Sequence, residues 1–175
     1  MSVYDYKTVS EESVSAVTAT PSVDVGTIRF HGGIEYRYMY NGGAVGYQGA
    51  PCFITASTAG NTFVTTYATI SLMTTAAGTG FGFVGTLHNA TCAAASYAWV
   101  ATRGIVNARP QSSAIAAGDV VMAMDGGNAV ASRTGITNTA TVTPQLCSFL
   151  VNVIVGQAME LATAAATGVI KVWLR

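Results

Sequence analysis

The stretch Val84 to Arg103 reads VGTLHNATCAAASYAWVATR, and it recurs loosely as VGQAMELATAAATGVIKVWLR from Val155 to Arg175. Each copy opens on Val-Gly, passes through a small-residue Ala/Thr stretch, and closes on a short run with Val at its centre and Arg at its end. One residue added in the second copy brings Val100 onto Val172 and Arg103 onto Arg175. A strand, a small-residue turn and a second strand, used twice, is how all-β domains are assembled. The expected fold is therefore all-β, a compact β-sandwich or β-barrel-like domain.

Working outward, the alternation of IEYRYMY from Ile34 to Tyr40 marks a strand between the turns His31-Gly32-Gly33 and Asn41-Gly42-Gly43, with a short strand at Thr27 to Phe30 before it. Ile34, Tyr36, Tyr38 and Tyr40 share one face of that strand. Three tyrosines on one face suit an interface, because Tyr joins a large contact area to a polar tip; a core rim with satisfied hydroxyls accounts for them equally well. Further strands are expected at Cys52 to Thr55, Phe63 to Met73, Tyr97 to Thr102, Ile105 to Ala108, Asp119 to Met124, Ala129 to Ser132 and Val169 to Arg175. Between Thr143 and Val155 a helical spacing competes with β-branched alternation, and a strand from Phe149 is the favoured reading. The strands at Tyr97 and Val169 carry apolar residues on both faces, which predicts burial from two sides.

Residues 1–25 differ from the rest. They carry Asp5, Glu11, Glu12 and Asp24 against Lys7 alone, without a sustained apolar face. They are expected to form an extended N-terminal arm that lies on a neighbouring subunit, with Tyr4 and Tyr6 as contacts, while residues 26–175 form the β-rich domain.

Composition narrows the function. Of 175 residues, 50% are apolar and only 9% charged, with 8 basic and 8 acidic side chains, against roughly 25% charged in ordinary globular proteins. A neutral, charge-poor surface offers no footprint for nucleic acid or an anionic membrane, and no apolar run reaches the eighteen or so residues of a membrane span. The first residues have neither a basic start nor an apolar run, so synthesis in a cytoplasm is expected. Cys52, Cys92 and Cys147 have neither a disulfide framework's even count nor a metal spacing, and read as buried reduced thiols. His31 and His88 have no convergent ligands, Asp119 and Asp125 lack the pattern of a calcium loop, and there is no nucleophile elbow or phosphate loop. Asn89-Ala90-Thr91 is a formal glycosylation acceptor that reads as chance. No catalytic residue, cofactor or metal is expected.

Two segments carry a resemblance. GTIRFHGGIEYRYMYNGG from Gly26 to Gly43, and Val84 to Gly104 with its Tyr-x-Trp-Val-x-x-Arg-Gly, resemble tailed-bacteriophage capsid decoration proteins, also called cement or head-stabilising proteins. The Gly118 to Val121 segment and the closing GVIKVWLR are similar too. The stretch from Ile54 to Gly80 and the arm depart from the shorter family pattern. The resemblance implies a structural virion protein on the capsid exterior, bound to the major capsid protein and to itself, as a homotrimer, and stabilising the shell against packaged DNA. Candidate interface residues are Tyr4, Tyr6, Tyr36, Tyr38, Tyr40, Tyr97, Trp99, Arg103, Trp173 and Arg175. The alternatives are another virion part, such as a tail or head fibre, and a carbohydrate-binding β module using the tyrosine face or Trp99 as a platform.

Overall fold

Gly32 and Gly33 both take positive φ, +57° and +78°, which is the left-handed turn that lets two right-twisting strands fold directly back on each other. The hairpin so formed joins β1 (Ile28–His31) to β2 (Ile34–Asn41), with Ile28 opposite Arg37 and His31 opposite Ile34. In this computed structural model the described residues are 13–54, 62–64, 82–110, 114–123, 130–132, 154–162 and 168–174. They contain twelve strands, among them β3 (Gly46–Tyr47), β4 (Pro51–Ile54), β5 (Thr62–Val64), β6 (Gly82–Leu87), β7 (Thr91–Cys92) and β8 (Tyr97–Ala108). β9 (Val120–Ala123), β10 (Val130–Ser132), β11 (Ile154–Ala158) and β12 (Ile170–Leu174) complete the set. The fold is all-β, with no helix among the described residues.

Five strands close a barrel. β2 pairs antiparallel with β8, β8 with β6, β6 with β4 and β4 with β5, and a short parallel contact of Tyr40 and Asn41 with Thr62 and Phe63 returns β5 to β2. Met39, Cys52, Phe63, Leu87, Ala98 and Val100 form a buried cluster to which every one of these strands contributes, joined by Cys92. Such a cluster is the barrel's interior, and its side chains are small enough to fill so narrow a barrel.

A second sheet grows from the same long strand. β8 gives its first half to β2 and β6 and its second half, Gly104 to Ala108, to β12; the order then runs β12, β11, β9, β10. The turnover point is Gly104, at φ +104°, where a Cβ would stand 2.8 Å from the Gly33 carbonyl oxygen. Sequence reading ends one strand near Gly104 and starts another, since glycine interrupts β pattern. The structure keeps one strand and shifts its faces: Trp99 and Ala101 enter the larger core cluster before the glycine, Val106 and Ala108 after it. That larger cluster also takes Tyr36, Tyr38, Phe53, Val121, Val155, Ile170, Val172 and Leu174, so it lies between the barrel wall and the inner face of the second sheet.

The sequence repeat is a structural one. Thr86 faces Ala101 and Leu87 faces Val100, as Gln157 faces Trp173 and Ala158 faces Val172. The next rung matches as well, with His88 N–H donating to Trp99 O at 3.3 Å and Met159 N–H to Lys171 O at 2.8 Å. Burial differs between the copies. The first half of β8 is covered on both faces as expected, whereas β12 buries Ile170, Val172 and Leu174 but leaves Lys171 and Trp173 exposed. The helix-or-strand question between Thr143 and Ile154 lies outside the described residues.

Residues 13–27, which include the second half of the expected arm, lie on this chain's own barrel. Val14 joins the larger core, Val17 packs on the barrel cluster, and Thr18 and Tyr97 exchange backbone hydrogen bonds of 3.1 and 2.8 Å. The physical reason is an unpaired edge: on its β6 side, β8 is bonded from Ala101 back to Trp99, so the Tyr97 backbone beyond takes Thr18 as its partner. Tyr4 and Tyr6 lie outside the described residues.

Candidate functional site

The tyrosine face is the natural place to begin. Tyr38 is fully buried, and its hydroxyl meets Thr18 Oγ1 at 2.7 Å and receives Ser22 Oγ at 3.0 Å. Trp99 lies tilted against it with ring centroids 5.1 Å apart, and the Arg29 guanidinium stands 6.0 Å from the Trp99 ring. Tyr36 is buried and meets His88 edge to face at 4.9 Å. Tyr40 and Tyr97 are half-buried with tilted rings 5.1 Å apart. The face therefore belongs to the chain's own core, roofed by residues 13–27, and is closed as a platform for sugars. Of the other interface candidates, Arg103 is exposed opposite Glu35, Trp173 is exposed on β12, and Arg175 lies outside the described residues.

Titration in this region follows burial. Burial raises the Tyr36 hydroxyl, and burial, followed by the charges of Lys171 and His31, lowers His88 below the ordinary 6.5. Cys52 and Cys92 are free buried thiols, both raised chiefly by burial, which keeps them protonated and unreactive. Asn89 is 2% exposed and donates to Ala16 O at 3.2 Å, so the acceptor pattern it starts is closed to modification. Among the described residues no group of three His, Cys, Asp or Glu side chains could hold a metal. Nor does any helix there have the length and apolarity to cross a membrane.

Two surface features bear on function. The first is the outward face of the second sheet, where Ile105, Trp173, Gln157 and Val120 stand in register across four neighbouring strands. Ile105 is 50% exposed, Trp173 42% and Val120 37%, and polar groups border the row: Lys171 Nζ donates to Asn107 Oδ1 at 2.7 Å. An apolar row with a polar rim has the anatomy of a contact surface. Sequence reading singled out Trp173 but not Ile105, because the strand expected at 105–108 had no assigned partner.

The second feature is a cleft of about 340 Å³ lined by Tyr47, Gln48, Ala90, Arg109, Gly168 and Val169. The Arg109 guanidinium lies 5.2 Å from the Tyr47 ring centroid. Nothing in the sequence joins Tyr47 to Arg109, since only the fold brings the β3 turn to the end of β8. No family model, curated protein or solved structure matches the chain.

Proposed function

We propose that this chain is a structural virion protein, a decoration or cement protein that binds the outer surface of a bacteriophage head, with the outward face of its second sheet as a protein contact surface. The observation that carries the reading is the exposed row Ile105, Trp173 and Val120 on a chain with 9% charged residues and no net charge. Such a surface suits close packing against another protein and is poorly suited to nucleic acid. The resemblance of Gly26 to Gly43 and Val84 to Gly104 to decoration proteins supplies the identity of that partner, the major capsid protein. Repetition over a shell makes modest single contacts sufficient, because a multimer that engages several capsid subunits gains from effective concentration.

The test is binding of purified protein to heads stripped of their surface proteins. Saturable binding with ordered density outside the shell, lost in Trp173→Ser, is the expected result. Absence of binding, or density on the tail alone, overturns the reading and in the second case favours a tail component.

A further inference from the structure

From the cleft at Tyr47 and Arg109 we infer a binding site for an acidic monosaccharide, a sugar ring carrying one carboxylate. The argument starts from the arginine. Its guanidinium carbon stands over the Tyr47 ring, 5.2 Å from the centroid, a placement favoured by the ring's electron-rich face. Its N–H groups, the part that forks onto a carboxylate, make no hydrogen bond among the described residues, where Arg109 bonds through its backbone N–H alone. Among the described residues no carboxylate pairs with Arg109.

The neighbouring groups suit the rest of a sugar. Gln48 is fixed through its side-chain N–H, which donates to His88 O at 3.3 Å, and through its backbone N–H to Ala90 O at 3.2 Å. Its amide oxygen remains as an acceptor for a hydroxyl. Tyr47 keeps 43% of its surface exposed and Val169 38%, so aromatic and aliphatic area is available for the C–H face of a ring. The volume of about 340 Å³ falls at the small end of ligand clefts, about 300–1,000 Å³, and is far more than a bare carboxylate needs.

The site is also built rigidly. Gly49, at φ +77°, packs so closely on the Ala108–Arg109 peptide that a Cβ would lie 2.5 Å from the Arg109 nitrogen. Arg109 N–H donates to Gly49 O at 3.0 Å, and Gly49 N–H to Leu87 O at 2.8 Å. Tyr47, Gln48 and Arg109 therefore sit on one locked junction of β3, β6 and β8, which preorganises them for a ligand. The assignment uses residues other than the Ile105–Trp173 row and does not depend on the capsid reading, so the two can fail separately.

The experiment is a titration of the ¹⁵N-labelled full-length chain, followed by amide chemical shifts, with sodium glucuronate, glucose and sodium acetate in separate arms. Glucuronate is expected to move the amides of Gln48, Gly49, Ala90, Arg109 and Val169 saturably, with a dissociation constant on the order of millimolar for so small a ligand. Glucose and acetate should each bind at least about tenfold more weakly, as should glucuronate to Arg109→Gln, where one charge-assisted fork is lost. Arg109→Gln leaves the backbone bonds of the junction in place, so unchanged spectra outside the cleft certify its fold. No saturable shift with glucuronate, equal binding of glucose or acetate, or undiminished binding by Arg109→Gln overturns the inference.

Discussion

Two glycines show how closely single residues set this structure. A Cβ at Gly85 would lie 2.1 Å from Ala101 O and 2.9 Å from Val100 Cγ1; at Gly156 it would lie 2.2 Å from Trp173 O and 2.9 Å from Val172 Cγ1. The obstacles are the same two positions of the repeat in both copies, and one in each is backbone, which cannot swing away. Gly85→Ala and Gly156→Ala are each expected to lower stability by about 1–3 kcal/mol or more, the range of overpacking in a filled core, read as a lower urea midpoint with an unchanged slope. The Val-Gly signature was legible in the sequence, but its cause was not, because the clash is with a strand that lies farther along the chain. His88 supplies a pH dependence whose sign is determined. Its folded-state affinity for protons is lowered, first by burial and then by Lys171 and His31. As pH falls below the ordinary 6.5, the unfolded chain takes up the proton before the folded one, so stability declines until the lowered folded pKa is passed and then levels off. Urea midpoints measured between pH 7 and 5 should fall, and His88→Gln should flatten that part of the profile; a wild-type profile no steeper than that of the variant would remove His88 as the cause.

Among the elements, the segment 13–27 has the most distinct role, since it closes the aromatic wall of the barrel. Tyr38 OH links it at both Thr18 and Ser22, and Thr18 also bridges to the Tyr97 backbone. Tyr38→Phe removes the hydroxyl and strands two partners. It should cost on the order of 1 kcal/mol and speed hydrogen exchange of the Thr18 and Tyr97 amides more than that of the barrel interior. Uniform acceleration across the barrel would mean that the segment does not open independently. Strand existence was largely legible. The β1–β2 hairpin follows from alternation plus two glycines, and the paired units of the repeat from their matching order of strand, small residues and strand. A barrel was one of the two forms expected, but the way it closes was not legible, because closure rests on the brief parallel contact of Tyr40 and Asn41 with Thr62 and Phe63, which leaves no local pattern. Apolar residues on two faces also had two different meanings. In the first half of β8 both faces are internal, because a barrel interior and a second core lie on either side; in β12 Trp173 faces outward. Periodicity reports that a face is apolar, not which neighbour covers it.

For the whole molecule the question is what covers that outward face. Trp173 and Ile105 are directly opposed on adjacent strands, and Val120 continues the row beyond Gln157, so these three exposed apolar side chains lie along one line across the sheet. Water contact with a row of this kind is unfavourable at roughly 25 cal/mol per Å² of apolar surface, and with no net charge little long-range repulsion opposes approach of a second copy. The chain is therefore expected to self-associate at micromolar concentration, with a trimer as the state that the resemblance to decoration proteins implies. A buried tryptophan at the centre of a contact commonly accounts for 2 kcal/mol or more of binding, a change of about thirtyfold in the dissociation constant. Sedimentation velocity on the wild type and on Trp173→Gln tests the point directly. The variant alters an exposed side chain whose β12 neighbours Val172 and Leu174 stay buried, so its fold should survive and its association should weaken by at least that factor. A wild type that sediments as a monomer at tens of micromolar would sink self-association through this face. An oligomer untouched by the substitution would move the contact elsewhere and leave the row free for the shell.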